Sequence, residues 1–166
     1  MHLKLNTERL HIRPLTPSDS AFMLRLLNTA GWLQFIGDRQ VRSNEDAMAY
    51  IQKITTSDNY FYHVFEIKAT QELAGLITLI KRPHYTSPDI GFAMLPEFEG
   101  RGYAIEASKA YVDACTTKQV FDTLIAIVMP ENHKSIRVLK KLGMVYQAET
   151  IDNGTLLHVY VKAMHE

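Results

Sequence analysis

Apolar residues change their period several times along this 166-residue chain, and each change marks an expected element. Leu3, Leu5, Leu10 and Ile12 fit an opening strand, interrupted by polar residues 6–9 and ended at Pro14. Thr16-Pro17-Ser18-Asp19 then offers a cap, a proline for the first helical position and a carboxylate at capping-box spacing. A helix is expected over residues 18–28. Residues 30–40, with Gly31 and Gly37 around Trp32 and Phe35, read as a loop or broken turn. Ser43 and Asp46 repeat the capping spacing, and Ala47, Met48, Tyr50, Ile51 and Ile54 carry a second helix to about residue 55. Phe61, His63, Phe65 and Ile67 alternate with Tyr62, Val64, Glu66 and Lys68 as a strand does. A turn at 70–72, a strand over 73–81, a two-proline loop at 82–88 and a strand over 90–95 follow.

From Tyr103 the period becomes helical. Tyr103, Ala107, Ala110, Tyr111, Ala114 and Cys115 make one apolar face of a helix reaching about residue 118. Residues 123–129 (T-L-I-A-I-V-M) are apolar and β-branched, which suits a buried strand stopped by Pro130. Asn132 can cap a helix over 133–142, with Gly143 placed for the left-handed C-terminal position and Arg137, Lys140 and Lys141 near its C-terminal end. Strands over 145–151 and 156–164 flank Asp152-Asn153-Gly154, a hairpin signal. The order β-α-α-β-β-β-α-β-α-β-β describes a mixed α/β fold, expected as one domain over residues 1–166.

Eighteen basic residues balance eighteen acidic ones, so no net field draws the chain toward nucleic acid or a membrane surface. A single cysteine excludes an internal disulfide. The N-terminus lacks the apolar core of a signal peptide and no 18-residue apolar run occurs, so a soluble cytoplasmic protein is expected.

The chemistry centres on Gly100-Arg101-Gly102, a glycine turn feeding a helix. The first N–H groups of a helix have no intrahelical partner, and with the helix dipole they suit a phosphate. A Walker A loop is absent, because no GxxxxGK[ST] string exists. A dinucleotide fingerprint fails at Ile105, where close helix–strand packing wants Gly or Ala.

E-G-R-G-Y-A, preceded by I-G-F-A-M-L-P and followed by I-E-A, resembles the acetyl-CoA loop of the GNAT N-acetyltransferases. The family motif Gln/Arg-x-x-Gly-x-Gly/Ala is matched at Gly102 and Ala104. T-E-R-L-H-I-R-P-L and N-H-K-S-I-R-V-L-K-K-L-G-M look like the RimJ/RimL-like branch, which acetylates protein N-termini and other amines. The resemblance implies a GNAT fold with a central mixed sheet flanked by helices, acetyl-CoA as co-substrate and no metal. It also implies direct attack of an amine on the thioester in a ternary complex, by a monomer or homodimer. The alternative within the same fold is an acyl-CoA-binding module with little or no catalysis.

By the same resemblance the backbone of Ala93, Met94 and Leu95 would hold pantetheine and polarise the carbonyl. Gly100, Arg101, Gly102, Tyr103 and Ala104 would hold the pyrophosphate. Asn132 would contact the cofactor arm, and Ser135 would lie near the sulfur and return a proton to the thiolate. Leu139 stands where many relatives carry a tyrosine acid, which leaves Ser135 as the preferred donor and Tyr146 in reserve. The base stays open among Glu66, His84, Asp89, Glu149 and His158. Cys115 shares the apolar face and reads as packing. Glu99 departs from the motif by placing a carboxylate beside the expected pyrophosphate. Acceptor choice is expected to lie in 30–40, 82–88 and the last hairpin.

Overall fold

The computed structural model describes residues 1–165. The opening apolar stretch forms two strands, β1 (Leu5–Asn6) and β2 (Leu10–Pro14), because the polar residues between them turn back. Thr7 closes that turn: its N–H donates to the Leu10 carbonyl at 3.0 Å, and its hydroxyl accepts from the Leu10 N–H at 2.9 Å. A 3-10 turn at Pro17–Asp19 leads into α1 (Ser20–Leu27). Asp19 is buried there because it accepts from both arms of the Arg13 guanidinium at 2.8 Å and from the Thr16 N–H at 2.9 Å.

The expected loop at 30–40 begins instead with a short helix, α2 (Ala30–Phe35). Thr29 caps it, accepting from the Trp32 N–H at 3.3 Å, and Trp32 is only 4% exposed. Burying that indole gives about 2 kcal/mol or more, against about 1 kcal/mol for Gly31 in a helix. Burial wins. α3 (Asn44–Thr55) starts where the capping spacing placed it, with reciprocal 3.0 Å bonds between Ser43 and Asp46.

The remaining elements are β3 (Tyr60–Ile67), β4 (Glu72–Ile80), β5 (Asp89–Met94), α4 (Tyr103–Thr117), β6 (Thr123–Val128), α5 (His133–Lys141), β7 (Val145–Asp152) and β8 (Thr155–Ala163). All eight strands join one sheet in the order β1-β2-β3-β4-β5-β6-β8-β7. Every neighbouring pair is antiparallel except β5–β6, whose parallel pairing requires a crossover that α4 supplies. The fold is the expected mixed α/β arrangement, with one more strand and one more helix than the sequence pattern separates.

Strand alternation decides what each face of the sheet meets. His63 stacks edge-on against Tyr111 of α4, with ring centroids 5.0 Å apart, so its side of β3 faces α4. Tyr62 and Val64 point to the opposite face, where Tyr62 meets Tyr50 of α3. Among the described residues no helix is long and apolar enough to cross a membrane.

Candidate active site

Apart from bulges at Phe65–Glu66 in β3 and Tyr146–Ala148 in β7, pairing fails only between β5 and β6. β4 and β5 stay paired from Ile80–Asp89 to Gly75–Met94, whereas β5 meets β6 in register only at Asp89–Ile125. The Ile125 N–H donates to the Pro88 carbonyl at 3.0 Å. In a parallel ladder the next N–H, that of Ile127, would reach the Ile90 carbonyl. It donates instead to the Asp89 carboxylate at 3.1 Å. The other Asp89 oxygen accepts from Arg82 Nε at 2.7 Å, and Asp89 is 5% exposed. The side chain is thus a wedge that ends the ladder and lets the strands diverge. Burial pushes its carboxyl up, against the opposing pull of Arg82 and the Ile127 amide.

Divergence leaves backbone groups of β5 without a strand partner. The Leu95 N–H donates to the Ala74 carbonyl at 2.9 Å, so alternation turns the N–H groups of Ala93 and Leu95 toward β4. Those of Phe92 and Met94 face the split. Of the three residues expected from sequence, Met94 therefore presents a free amide, Ala93 lines the adjacent cavity, and Leu95 is buried. Phe92 was not singled out, since its role follows from a register that sequence does not carry.

Beyond β5 the chain makes one 3-10 turn at Pro96–Phe98 and enters the glycine loop. Gly100 and Gly102 have φ of +76° and +81°, left-handed values that glycine adopts without steric cost. Gly102 begins α4 with no side-chain cap, so the N–H groups of Tyr103, Ala104 and Ile105 stand open. Arg9 braces this loop from the start of the chain. Its Nη1 donates to the Arg101 carbonyl at 2.8 Å, its Nε pairs with Glu106 at 2.6 Å, and its guanidinium lies 4.5 Å over the Tyr103 ring. Nothing local marks Arg9, because its partners lie more than ninety residues away. Glu99 is matched in charge by Lys134 of α5 at 2.6 Å.

Asn132 caps α5, its Oδ1 accepting from the Ser135 N–H at 3.2 Å. Asn132, Ser135 and Leu139 all line a cavity of about 1130 Å³. Its other walls include Trp32, Phe35 and Arg39, then Tyr62 and Thr78 on the α3 side of the sheet, then Arg82, His84, Tyr85 and the β7–β8 tip. The split therefore joins two sides of the molecule: the glycine loop with α4 and α5, and a groove roofed by the segment around α2.

The remaining candidates are scattered. His84 and Asp89 line the groove. Glu66 lies at a separate small hollow beside His11 and Arg13. His158 and Glu149, 3.7 Å apart, sit on the face of the β7–β8 hairpin opposite Leu157, which does line the groove. Tyr146 is half exposed on that same opposite face, edge-on to His158 at 5.1 Å and to Tyr160 at 5.9 Å, and is not part of the groove lining. Cys115 is buried in the core and burial pushes its thiol up to about 11, the behaviour of a packing residue.

Comparison with known proteins agrees with this geometry. The family model described as acetyltransferase (GNAT) domain matches residues 9–145. The uncharacterized N-acetyltransferase YnaD of Bacillus subtilis (strain 168) is 28% identical over 142 residues, 86% of this chain and 82% of that protein. The spermidine N(1)-acetyltransferase of Escherichia coli (strain K12) is 27% identical over 146 residues, 83% of this chain and 74% of that one. The solved structure of RimL, a ribosomal L7/L12 alpha-N-protein acetyltransferase in complex with coenzyme A, shares the fold. Its TM-score is 0.82 at 16% identity, over 95% of both chains. Since the family model spans most of the chain, this protein belongs to the GNAT acetyltransferases.

Proposed function

We propose that the protein transfers the acetyl group of acetyl-CoA to a primary amine, a protein N-terminus or a small amine, by direct attack in a ternary complex. The observation that carries this reading is the split between β5 and β6. It sets unpartnered β5 amides beside an uncapped helix N-terminus on one side and an open groove on the other. The loop residues Gly100, Arg101, Gly102, Tyr103 and Ala104 bind the pyrophosphate through backbone N–H groups. The free amides of Phe92 and Met94 hold the pantetheine arm and polarise the thioester carbonyl, with Ala93 as groove wall. Asn132 positions the first turn of α5 and so Ser135.

The amine enters from the groove as the free base, forms the N–C bond and expels the thiolate. Ser135 returns a proton to the sulfur. Asp89 engages Arg82 and the Ile127 N–H, which leaves His84 and Asp152 as groove-lining side chains able to take the proton from nitrogen. The Lys134–Glu99 pair weakens the case for a binding module without catalysis, since the departing carboxylate is neutralised in place.

Thiol release from acetyl-CoA across a panel of amines tests the proposal. Ser135→Ala is expected to lower kcat by about 100-fold, the low end of general-acid effects, with little change in CoA affinity. An unchanged kcat would remove Ser135 from the chemistry. CoA binding without turnover on any amine would overturn the enzymatic reading.

A further inference from the structure

Two of the named comparisons differ in acceptor, one carrying spermidine in its name and the other a ribosomal protein, so the acceptor has to be read from the groove itself. Its wall holds two guanidiniums, Arg39 and Arg82, and two carboxylates, Asp89 and Asp152. Asp89 is taken up by Arg82 Nε and the Ile127 N–H. Arg82 uses only Nε in that pair, so Nη1 and Nη2 have no protein acceptor, and its side chain is 40% exposed. Arg39 has no carboxylate within 4 Å among the described residues, while nearby Arg42 is paired with Asp38 at 2.5 Å. Arg39, Tyr62 and Arg82 all line this one groove, where Asp152 acts electrostatically on Arg82 without a hydrogen bond to it. Arg39 and the outer edge of Arg82 are thus cationic donors without a hydrogen-bonded protein partner on this wall, and such donors call for an oxyanion.

We infer that the acceptor is a small amine that also carries an oxyanion, a carboxylate or a phosphate, received by Arg39 and the free edge of Arg82. This rests on the acetyl-transfer reading above. A polyamine would set several ammonium groups against the same wall with Asp152 as the one carboxylate not already paired. The spacer is short, because Arg82 reaches Asp89 and Asp89 reaches the Ile127 N–H at the split. An amino acid or short ω-amino acid suits that spacing, and Phe35, Ile80 and Tyr85 suit an apolar or aromatic side chain.

Matched acceptor pairs test this: phenylalanine against phenethylamine, 3-aminopropanoate against propylamine, phosphoethanolamine against ethanolamine, with spermidine alongside. The oxyanion-bearing member is expected to have kcat/KM about tenfold higher, less so at high salt. Arg39→Gln, an exposed side chain without a protein ion pair, is expected to compress that ratio toward one. A larger ratio for the phosphate pair assigns the oxyanion as phosphate, and a larger ratio for the carboxylate pairs assigns it as carboxylate. Preference for spermidine or the plain amines, or a ratio that Arg39→Gln does not move, overturns the inference while leaving acetyl transfer intact. If no amine turns over, calorimetric titration of the CoA-loaded protein with the same pairs separates the two. Selective binding of the oxyanion-bearing member upholds the groove assignment and removes catalysis; equal or absent binding overturns the assignment.

Discussion

Asp89→Ala removes the wedge between β5 and β6, and its two consequences differ in size. The Arg82 guanidinium loses its partner, but its side chain is 40% exposed and rehydrates, so the loss stays below the roughly 3–5 kcal/mol of a broken, fully buried pair. The Ile127 N–H loses its acceptor, worth about 1–3 kcal/mol if it stays unpaired. It can recover part of that by taking the Ile90 carbonyl, which adds a rung to the parallel ladder and closes the split. The net expectation is a destabilisation of about 2 kcal/mol, or about 4–8 °C in Tm for a chain of this size. CoA affinity is expected to fall by about tenfold or more. Asp89→Asn keeps an oxygen for the Ile127 N–H and loses only the charge, so it should retain most of the affinity. Calorimetric CoA titration with thermal unfolding of both variants measures each effect, and hydrogen exchange at Ile127 reports whether the ladder has extended. Wild-type CoA affinity in Asp89→Ala refutes the wedge, and equal losses in both variants show that charge, not the amide contact, holds the strands apart.

Two further outcomes follow from charge. His63 is buried, accepts the Leu3 N–H on Nε2 at 3.1 Å, and has its pKa lowered to about 4 by burial, with His2 and the N-terminus adding to the effect. Because the folded value lies below the unfolded one near 6.5, neutral His63 contributes stability above pH 6.5 that is lost as pH falls through about 4. About 3 kcal/mol should disappear over that window in urea unfolding, and His63→Phe should flatten it; parallel loss in both proteins would show that other groups govern the acid limb. Lys134→Ala leaves the Glu99 carboxylate unmatched beside the proposed pyrophosphate loop, so CoA affinity should fall a few-fold at low salt and recover at high salt, and adding Glu99→Gln should restore it. A salt-independent loss would place the effect elsewhere.

Much of this molecule is written locally. The Ser43–Asp46 cap, the alternation through β3, the Asn-Gly turn and the left-handed glycines of the loop before α4 each depend on neighbours a few residues away. They appear where the pattern placed them. α2 was missed because its two glycine-flanked aromatics look like a loop until Trp32 finds a core to enter, although Thr29 at capping distance was a legible signal. Of the candidate site, the glycine turn before α4 and the Asn132 cap of α5 formed where their local strings placed them.

What only the tertiary structure decided is everything that depends on register and on distant partners. Tyr146 and His158 have suitable chemistry but fall on the hairpin face away from the groove, since alternation combined with the β7–β8 pairing turns them there. Arg9 becomes the brace of the glycine loop only because β2 and α4 pack together. Asp89 reads in sequence as one candidate base among five; in the sheet it is the residue that parts two strands. Short-range steric and hydrogen-bond preferences select helices, turns and strands from the chain alone. The groove opens where strands fail to pair, and pairing is a long-range choice that no local preference encodes.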